Sequence, residues 1–384
     1  MDFEFLLPTK IVMKKGIRFE TGAQLKALSM EHVLVITDSG IKNAGLLTDI
    51  YASLAESGVT FEEFSDVKPN PRDADCDLIA AQTKGRKIDG ILAIGGGSVI
   101  DTAKAVSILH TNGGSVNDYE GAFTVKVDPT PIVCIPTTAG TGSEVTFFSV
   151  ITDMKRKYKM SILDYKIGPK LALLDVDLTA SLPASIASST GMDALTHSIE
   201  AYTARVANPI SDALALHAIK LISENLLEAV HGTANEQARE QMLVGSLIAG
   251  AAFGNADIGS VHCISEAIGG LYDTPHGVAN AIFLPYVFKQ NIDADVKRHA
   301  EVGYALGVDR ALSHEDAAKA AVEILFTFSE KVNIPKFRNV RGVNPEDFAL
   351  LAQNSKKNIS DFNNAKAMTE QDYLRIFEEA YGTE

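Results

Sequence analysis

The sequence predicts an α/β domain built on a parallel sheet, followed by an all-helical domain. Three continuous apolar runs of strand length lie in the first half of the chain, and stretches of helical length separate them. Such runs are typical of strands that a parallel sheet buries between two layers of helices. After Leu182 this alternation stops, and long amphipathic windows rich in Ala, Leu, Ile and Glu follow. We therefore expect an α/β domain over residues 1–182 and a helical domain over residues 183–384.

The expected elements follow in chain order. Residues 3–13 form an additional edge strand or the arm of a hairpin. The buried strands of the sheet are expected at residues 33–38, 90–94 and 131–136. The helices between them are expected near residues 43–57, 73–87 and 98–110. The helical domain is expected to contain helices near residues 208–230, 235–252, 313–332 and 369–381.

Composition narrows the classes of partner. The 384 residues carry a net charge of −14, which excludes nucleic acid and anionic membranes as the main partners. No run of 18 consecutive apolar residues occurs, and the N-terminus lacks the basic start and apolar core of a signal peptide. Three widely spaced cysteines argue against a disulfide framework. We expect a cytoplasmic protein.

A glycine run follows the second buried strand. Gly95, Gly96, Gly97 and Ser98 lie directly between that strand and a helix. Glycine lets the backbone approach a ligand, and the free N–H groups of a helix N-terminus attract phosphate oxygens. The run therefore suits a pyrophosphate, although a tight strand-to-helix turn explains it equally well. It is not the usual Gly-x-Gly-x-x-Gly pattern.

Two further polar positions follow buried strands. Asp38 ends the first strand, where an acid would bind a ribose and favour NAD over NADP by repelling a 2′-phosphate. In the usual pattern this acid follows the glycines, whereas Asp38 precedes them. The alternative interpretation is that Asp38 is the N-cap of a helix or a turn residue. The loop of residues 137–146, after the third strand, is rich in glycines and small hydroxyls. Such a loop suits a ligand, or is ordinary turn chemistry.

Four residues of the second half are candidate metal ligands. Asp193 and His197 are four apart on a helix expected to begin near Gly191, so their side chains leave the same face. Taken alone, the pair is more simply a buried histidine hydrogen-bonded to an aspartate. His262 on a later helix and His276 on a loop change that balance, because three imidazoles and one carboxylate suit Fe²⁺ or Zn²⁺.

Taken together, these motifs resemble the iron-dependent (group III) alcohol dehydrogenases. They are Gly-Gly-Gly-Ser with Asp101, Pro-Thr-Thr-x-Gly-Thr-Gly-Ser-Glu at 136–144, Gly-Met-Asp-Ala-Leu-Thr-His at 191–197 and Pro-His-Gly at 275–277. The resemblance spans essentially the whole chain with the motifs in the family's order. It implies that residues 1–182 bind a dinucleotide, that residues 183–384 bind the metal, and that the active site lies in the cleft between them.

The resemblance also implies roles for individual residues. The metal ligands would be Asp193, His197, His262 and His276. The NAD site would comprise Asp38, Asn70, Gly95, Gly96, Gly97, Ser98, Asp101, Thr137, Thr138, Thr141, Ser143 and Lys159. Phe148 and Phe253 would flank the substrate, or else belong to the core. Glu266 departs from the family, many members of which have a histidine there; it would be a proton carrier, shift the charge around the metal, or merely be solvated.

We therefore expect a metal-dependent, NAD(H)-linked alcohol dehydrogenase or aldehyde reductase. A bound metal would polarise the substrate oxygen while hydride passes to or from the nicotinamide. A fifth coordination position for substrate is easier at Fe²⁺ than at Zn²⁺. Two aromatic rings would favour a short aliphatic substrate such as a diol, hydroxyaldehyde, semialdehyde or sulfoaldehyde.

The alternatives are a dehydroquinate-synthase-like lyase that uses NAD transiently and a non-catalytic metal- and nucleotide-binding scaffold. The motifs lack the basic residues that the lyase needs for a phosphorylated substrate. The arm at residues 3–13 suggests a homodimer or higher homo-oligomer formed by edge-strand pairing.

Overall fold

A computed structural model of the chain describes residues 2–232 and 235–382. The described residues divide into two compact units, each with its own dense internal contacts. We call the first the sheet unit; it consists of Leu7–Thr138 and Ser143–Leu182. We call the second the helical unit; it consists of the described residues of Met1–Leu6, Ala139–Gly142 and Pro183–Glu384.

Six strands of the sheet unit form one sheet in which every described pair is parallel. They are β1 (Lys10–Met13), β2 (His32–Ile36), β3 (Thr60–Phe64), β4 (Gly90–Gly95), β6 (Ile132–Pro136) and β9 (Leu171–Leu174). Their order across the sheet is β1-β9-β6-β4-β2-β3. A smaller sheet has the order β5-β8-β7, with β5 (Gly121–Ala122), β7 (Phe148–Asp153) and β8 (Tyr158–Leu163).

The helices of the sheet unit connect these strands. They are α1 (Thr21–Ala27), α2 (Ser39–Asn43), α3 (Thr48–Glu56), α4 (Asp73–Thr83) and α5 (Gly97–Asn112). Every residue of β4 and β6 is buried, which is why these strands read as continuous apolar runs. The predicted parallel α/β sheet is therefore confirmed, and β2, β4 and β6 coincide with the three predicted strands.

Strand β3 escaped prediction because its sequence carries a weaker signal. β3 has the sequence Thr-Phe-Glu-Glu-Phe, lies at one edge of the sheet and has no fully buried residue. At the opposite edge, β1 covers only Lys10–Met13 and pairs in parallel with β9. The expected edge strand is confirmed over these four residues, and the hairpin alternative is wrong.

The helical unit consists of helices joined by short connections. They are α6 (Ala184–Thr203), α7 (Pro209–His231), α8 (Glu236–Ala256), α9 (Ser260–Tyr272), α10 (His276–Asn291), α11 (Val296–Ala305), α12 (His314–Lys331), α13 (Phe348–Lys356) and α14 (Glu370–Gly382). The four predicted windows correspond to α7, α8, α12 and α14, so the all-helical prediction is confirmed.

The first of these helices begins earlier than predicted. α6 begins at Ala184, directly after Pro183, and not near Gly191. Gly191 lies inside the helix, at a point where a Cβ would come within 2.4 Å of the Leu226 side chain on α7. The glycine therefore serves close helix packing and not helix initiation.

No single helix of the described residues is both long and apolar enough to cross a bilayer. The pair α8 and α9, bent by 100° at their junction, passes such a test by length and composition only.

Candidate functional site

Three helices of the helical unit bring the four predicted metal ligands together. Asp193 and His197 lie one turn apart on α6, His262 is near the start of α9, and His276 is the first residue of α10. One ligand atom from each residue lies within 4.8 Å of the other three. We call these four residues the ligand cluster. The prediction that His276 lies on a loop is wrong, because α10 begins directly after Pro275.

The geometry of the ligand cluster fits one divalent ion. Ligand atoms roughly 2.0–2.3 Å from a shared ion lie about 3–4.5 Å apart, so small side-chain movements close the cluster around it. Nδ1 of His197 is buried and makes no hydrogen bond of good geometry among the described residues, although the backbone of Gly140 lies close enough to act on this imidazole. His276 is 27% exposed, whereas the other three side chains are buried. The cluster is thus reachable from the His276 side.

The protein shifts the pKa values of two cluster histidines in opposite directions. Burial lowers the pKa of His197 well below its ordinary value, and the neighbouring His262 lowers it further. Burial also opposes protonation of His262, but the charge and hydrogen bond of Glu200 outweigh it and raise its pKa. The lowered pKa of His197 keeps its imidazole neutral, as a metal ligand must be, and the carboxylates that raise the pKa of His262 would also attract a metal cation.

A buried asparagine lies against three ligand atoms. Nδ2 of Asn280 on α10 is 2.6 Å from Oδ1 of Asp193, 3.0 Å from Nε2 of His262 and 3.2 Å from Nε2 of His276. Its Oδ1 accepts a hydrogen bond from the hydroxyl of Ser265 on α9. Sequence reasoning missed Asn280, although its position four residues after His276 on the same helix was an available signal.

A buried glutamate contacts His262 at the ring edge opposite to the one that Asn280 contacts. Oε2 of Glu200, on α6, lies 2.5 Å from Nδ1 of His262. Its other oxygen accepts the backbone N–H of Val261 at 2.7 Å. Sequence reasoning assigned Glu200 no role, although it follows His197 by three residues and so shares its helix face.

Glu266 lies one turn after His262 on α9, at the position where the sequence departs from the resembling family. Its side chain is buried, and Nδ2 of Asn358 donates to its Oε2 at 2.5 Å. The alternative that Glu266 is merely solvated is therefore wrong. A buried carboxylate oriented by an amide can carry a proton or alter the local charge.

In the sheet unit, the glycine run lies at the carboxyl end of the central strands. β4 ends at Gly95 and α5 begins at Gly97, with no side-chain cap at its described N-terminus. A Cβ on Gly96 would lie 3.1 Å from Oγ1 of Thr138, so this glycine lets two loops pass closely. The N–H of Thr137 donates to the carbonyl of Gly95 at 3.1 Å. An uncapped helix N-terminus beside a glycine that lacks a side chain can bind a phosphate group.

Asp38 is the N-cap of α2. Its Oδ1 accepts the N–H of Ile41 at 2.9 Å, so the cap interpretation describes what this carboxylate does in the structure. This cap lies at the carboxyl end of β2, which is next to β4, the strand that leads into the glycine run. Contact with a ribose remains a prediction.

Four other predicted cofactor residues form two contacts in the sheet unit, one buried and one partly buried. Nζ of Lys159 donates to Oδ1 of Asn70 at 2.8 Å. Oγ of Ser143 donates to Oδ1 of Asp101 at 2.6 Å, and the N–H of Val150 donates to its Oδ2. Asp101 is thus held by protein groups.

Thr141 belongs to residues 139–142, which cluster with the helical unit. The glycines on either side of it make close approaches there. A Cβ on Gly140 would lie 2.5 Å from the Cβ of Thr190, and one on Gly142 would lie 2.5 Å from the Cα of Gly250. Gly142 also has φ +59°, which favours glycine.

The two predicted pocket aromatics have different surroundings. The ring of Phe253 stacks on the imidazole of His197, with centroids 4.2 Å apart and planes 13° apart. Phe148 stacks on Phe147 with centroids 5.7 Å apart. Both are partly exposed. Phe253 is thus directly beside the ligand cluster, whereas Phe148 belongs to an aromatic group of the sheet unit.

Comparison with known proteins gives consistent matches over the whole chain. The family profile described as iron-containing alcohol dehydrogenase matches residues 8–176. The profile described as the C-terminal part of the Fe-containing alcohol dehydrogenase family matches residues 187–381. The chain is 38% identical to the NAD-dependent methanol dehydrogenase of Bacillus methanolicus, covering 98% of this chain and 99% of that protein.

Solved structures agree with the sequence matches. A crystal structure of a 1,3-propanediol oxidoreductase superposes with a TM-score of 0.95 at 36% identity, covering 99% of this chain and 100% of the other. A sulfoacetaldehyde reductase from Bifidobacterium kashiwanohense, in complex with NAD⁺, superposes with a TM-score of 0.89 at 29% identity over the full length of both chains.

The close packing beside His276 gives a testable prediction. A Cβ on Gly277 would lie 2.4 Å from the carbonyl oxygen of Ser189 and 3.3 Å from the Cβ of Asp193. Gly277→Ala should therefore push the start of α10 away from α6 and displace His276. We expect Zn²⁺ affinity, measured by chelator competition, to fall at least about tenfold, and the unfolding free energy to fall by about 1–3 kcal/mol.

The matched control is Gly382→Ala, where a Cβ would meet no heavy atom within 4 Å among the described residues outside its own helix backbone and chain neighbours. This change should leave zinc affinity as it is. Wild-type affinity in Gly277→Ala would show that the packing of α10 on α6 does not position His276.

Proposed function

Because the chain belongs to the iron-containing alcohol dehydrogenase family, we propose that it interconverts a short, polar aliphatic alcohol and its aldehyde with NAD(H) as the hydride carrier. The observation that carries this proposal is the ligand cluster of Asp193, His197, His262 and His276. A structural helix bundle does not need three imidazoles and a carboxylate gathered within 4.8 Å of one another. A non-catalytic metal- and nucleotide-binding scaffold would need them too, and turnover of aldehydes separates it from an enzyme.

The ligand cluster is proposed to hold Fe²⁺, with Zn²⁺ as the alternative ion. When bound, the ion supplies Lewis acidity to the substrate oxygen. The four side chains contribute a single negative charge, from Asp193, so this set leaves much of a divalent charge available to stabilise negative charge on that oxygen. His276 lies on the accessible side of the cluster and Phe253 covers the face of His197. The substrate would therefore approach the cluster from the side of His276, with the ring of Phe253 beside it.

The sheet unit is proposed to hold NAD. When bound, the nicotinamide exchanges hydride with the substrate carbon. Residues 95–98 would bind the pyrophosphate, Asp38 the ribose, and the Asn70–Lys159 pair the nicotinamide half. Asp101 would orient Ser143, because its carboxylate accepts a hydrogen bond from the Ser143 hydroxyl. The remaining proposed contacts are Thr137, Thr138 and Thr141. The NAD⁺ complex of the sulfoacetaldehyde reductase supports this assignment.

The substrate is proposed to be short because the named relatives act on methanol, 1,3-propanediol and sulfoacetaldehyde. Phe253, whose ring stacks on His197, would narrow the approach to the ligand cluster. Glu266 is proposed as the proton carrier, since its carboxylate is buried one turn from His262 and held by Asn358. We also propose a cytoplasmic homodimer in which the edge strand β1 pairs with its copy.

The direct test is metal removal followed by an aldehyde panel. Wild-type protein reconstituted with Fe²⁺ should oxidise NADH with C2–C4 aldehydes, and chelation should lower kcat/KM at least about 100-fold. Readdition of Fe²⁺ should restore it. Net NADH oxidation also separates this activity from the lyase alternative, which regenerates its NAD each cycle. Full activity in the chelated protein would contradict the proposal.

The cofactor preference can be tested at Asp38 without removing the helix cap. Asp38→Ser removes the charge but keeps an oxygen that accepts the Ile41 N–H. We expect KM for NADPH to fall at least about tenfold, because the like-charge repulsion of a 2′-phosphate is lost. Thermal stability should change little. Asp38→Asn is the second neutral cap and should behave alike; unchanged NADPH kinetics in both variants would exclude Asp38 from the ribose site.

The pocket role of Phe148 can be tested by chain length. Phe148→Ala should raise kcat/KM for C5–C6 aldehydes relative to C2 by at least about tenfold, since each methylene that gains room is worth about 1–3 kcal/mol. Phe19→Ala, the same change at a ring that is 53% exposed in the same unit, is the control. An unaltered chain-length profile would place Phe148 in the core and not in the pocket.

A further inference from the structure

Helix α6 carries a carboxylate, that of Glu200, on the same face as its two candidate metal ligands. Asp193, His197 and Glu200 follow one another at spacings of four and three residues, so they lie on one face of the helix. All three side chains are buried. The first two belong to the ligand cluster, whereas Glu200 does not. A buried carboxylate needs partners that compensate its lost hydration, and its two partners indicate what it does.

Both oxygens of Glu200 bind the start of α9. Oε1 accepts the N–H of Val261 at 2.7 Å, and Oε2 lies 2.5 Å from Nδ1 of His262. The backbone makes room for this carboxylate at Gly259, where a Cβ would lie 3.1 Å from Oε1. The described N-terminus of α9 has no side-chain cap from its own N-cap residue. Glu200 therefore reaches from one ligand-bearing helix to the next.

The contact selects one tautomer of His262. A carboxylate only accepts hydrogen bonds, so Nδ1 must carry the proton. A neutral imidazole has one N–H, which leaves the lone pair on Nε2. Nε2 is the nitrogen on the side of the ligand cluster, 3.0 Å from the Asn280 amide that also contacts Asp193 and His276. The ring is thus fixed both in tautomer and in direction.

We propose that Glu200 is a positioning residue of the metal centre, which holds His262 with Nε2 directed at the ion and increases the basicity of that nitrogen. Metal-bound histidines commonly donate their second N–H to a carboxylate, and loss of such a partner typically weakens metal binding 10–100-fold. One helix face then supplies two ligands and the group that orients a third. The inference rests on the proposed function, because it requires that the ligand cluster binds a metal.

Glu200→Gln is the sharpest substitution, because it preserves size and removes the second acceptor. A glutamine has one oxygen, which can accept from Val261 or from His262 but not from both. If it serves Val261, its NH₂ group faces Nδ1, and His262 must then place its proton on Nε2. Glu224→Gln is the matched control, since Glu224 lies on α7 of the same unit and is 58% exposed.

The readouts are the dissociation constant for Zn²⁺, from competition with a chromophoric chelator, and the visible absorption of the Co²⁺-loaded protein. We expect Glu200→Gln to bind Zn²⁺ 10–100-fold more weakly than wild type and to alter the Co²⁺ spectrum. Glu224→Gln should match wild type in both. A merely structural role for Glu200 would lower the melting temperature of the metal-free protein while leaving the zinc affinity of the folded protein unchanged, which would overturn the inference.

The proposed function and the positioning role of Glu200 can fail independently of each other. Should Glu200→Gln fail to fold, Glu200→Asp replaces it; the shorter side chain cannot reach both donors, so weaker zinc binding is again expected and wild-type affinity overturns the inference. If wild-type protein binds no stoichiometric Zn²⁺ or Co²⁺, the proposed function itself fails. If wild type binds one ion and the Glu200 variants bind it equally well, only the positioning role fails.

Discussion

The convergence of three helices on one small volume is the constraint on which the helical unit depends. The four ligand atoms come from α6, α9 and α10, and none of these helices can shift without separating them. Glycines at the crossings permit the close approach: Gly191 packs α6 against α7, and Gly277 packs α10 against α6. Because protein interiors are close-packed, small residues at such crossings determine how near two helix backbones can lie.

Gathering acids and imidazoles in a buried volume requires compensation, which the surrounding amides and carboxylates provide. Asn280 donates to Asp193, Glu200 accepts from His262, and Asn358 donates to Glu266. Unpaired groups of this kind cost several kcal/mol each when buried. The arrangement therefore orients the ligand atoms before any ion binds, and the same contacts that lower the cost of burial fix the geometry of the site.

Much of the fold and part of the site could be predicted from the sequence, for identifiable reasons. β2, β4 and β6 are buried on both faces and so appear as apolar runs, and Asp193 and His197 are local neighbours on one helix. The distant members, His262 and His276, were candidates because three imidazoles and one carboxylate suit a divalent ion, and the family resemblance then implied their role as ligands. Glu200 was missed because its partners, Val261 and His262, lie far along the chain. Asn280 was missed although His276 lies one turn before it on the same helix. The helical start of His276 was missed because a proline and glycine beside it suggest a loop.

The most direct test of the central claim is an anomalous difference map at the iron absorption edge from crystals of the Fe²⁺-reconstituted protein. The account predicts one strong peak within coordination distance of Asp193, His197, His262 and His276, with Nδ1 of His262 still bonded to Glu200. A map without a peak among these four side chains, or with the iron bound elsewhere in the chain, would contradict it.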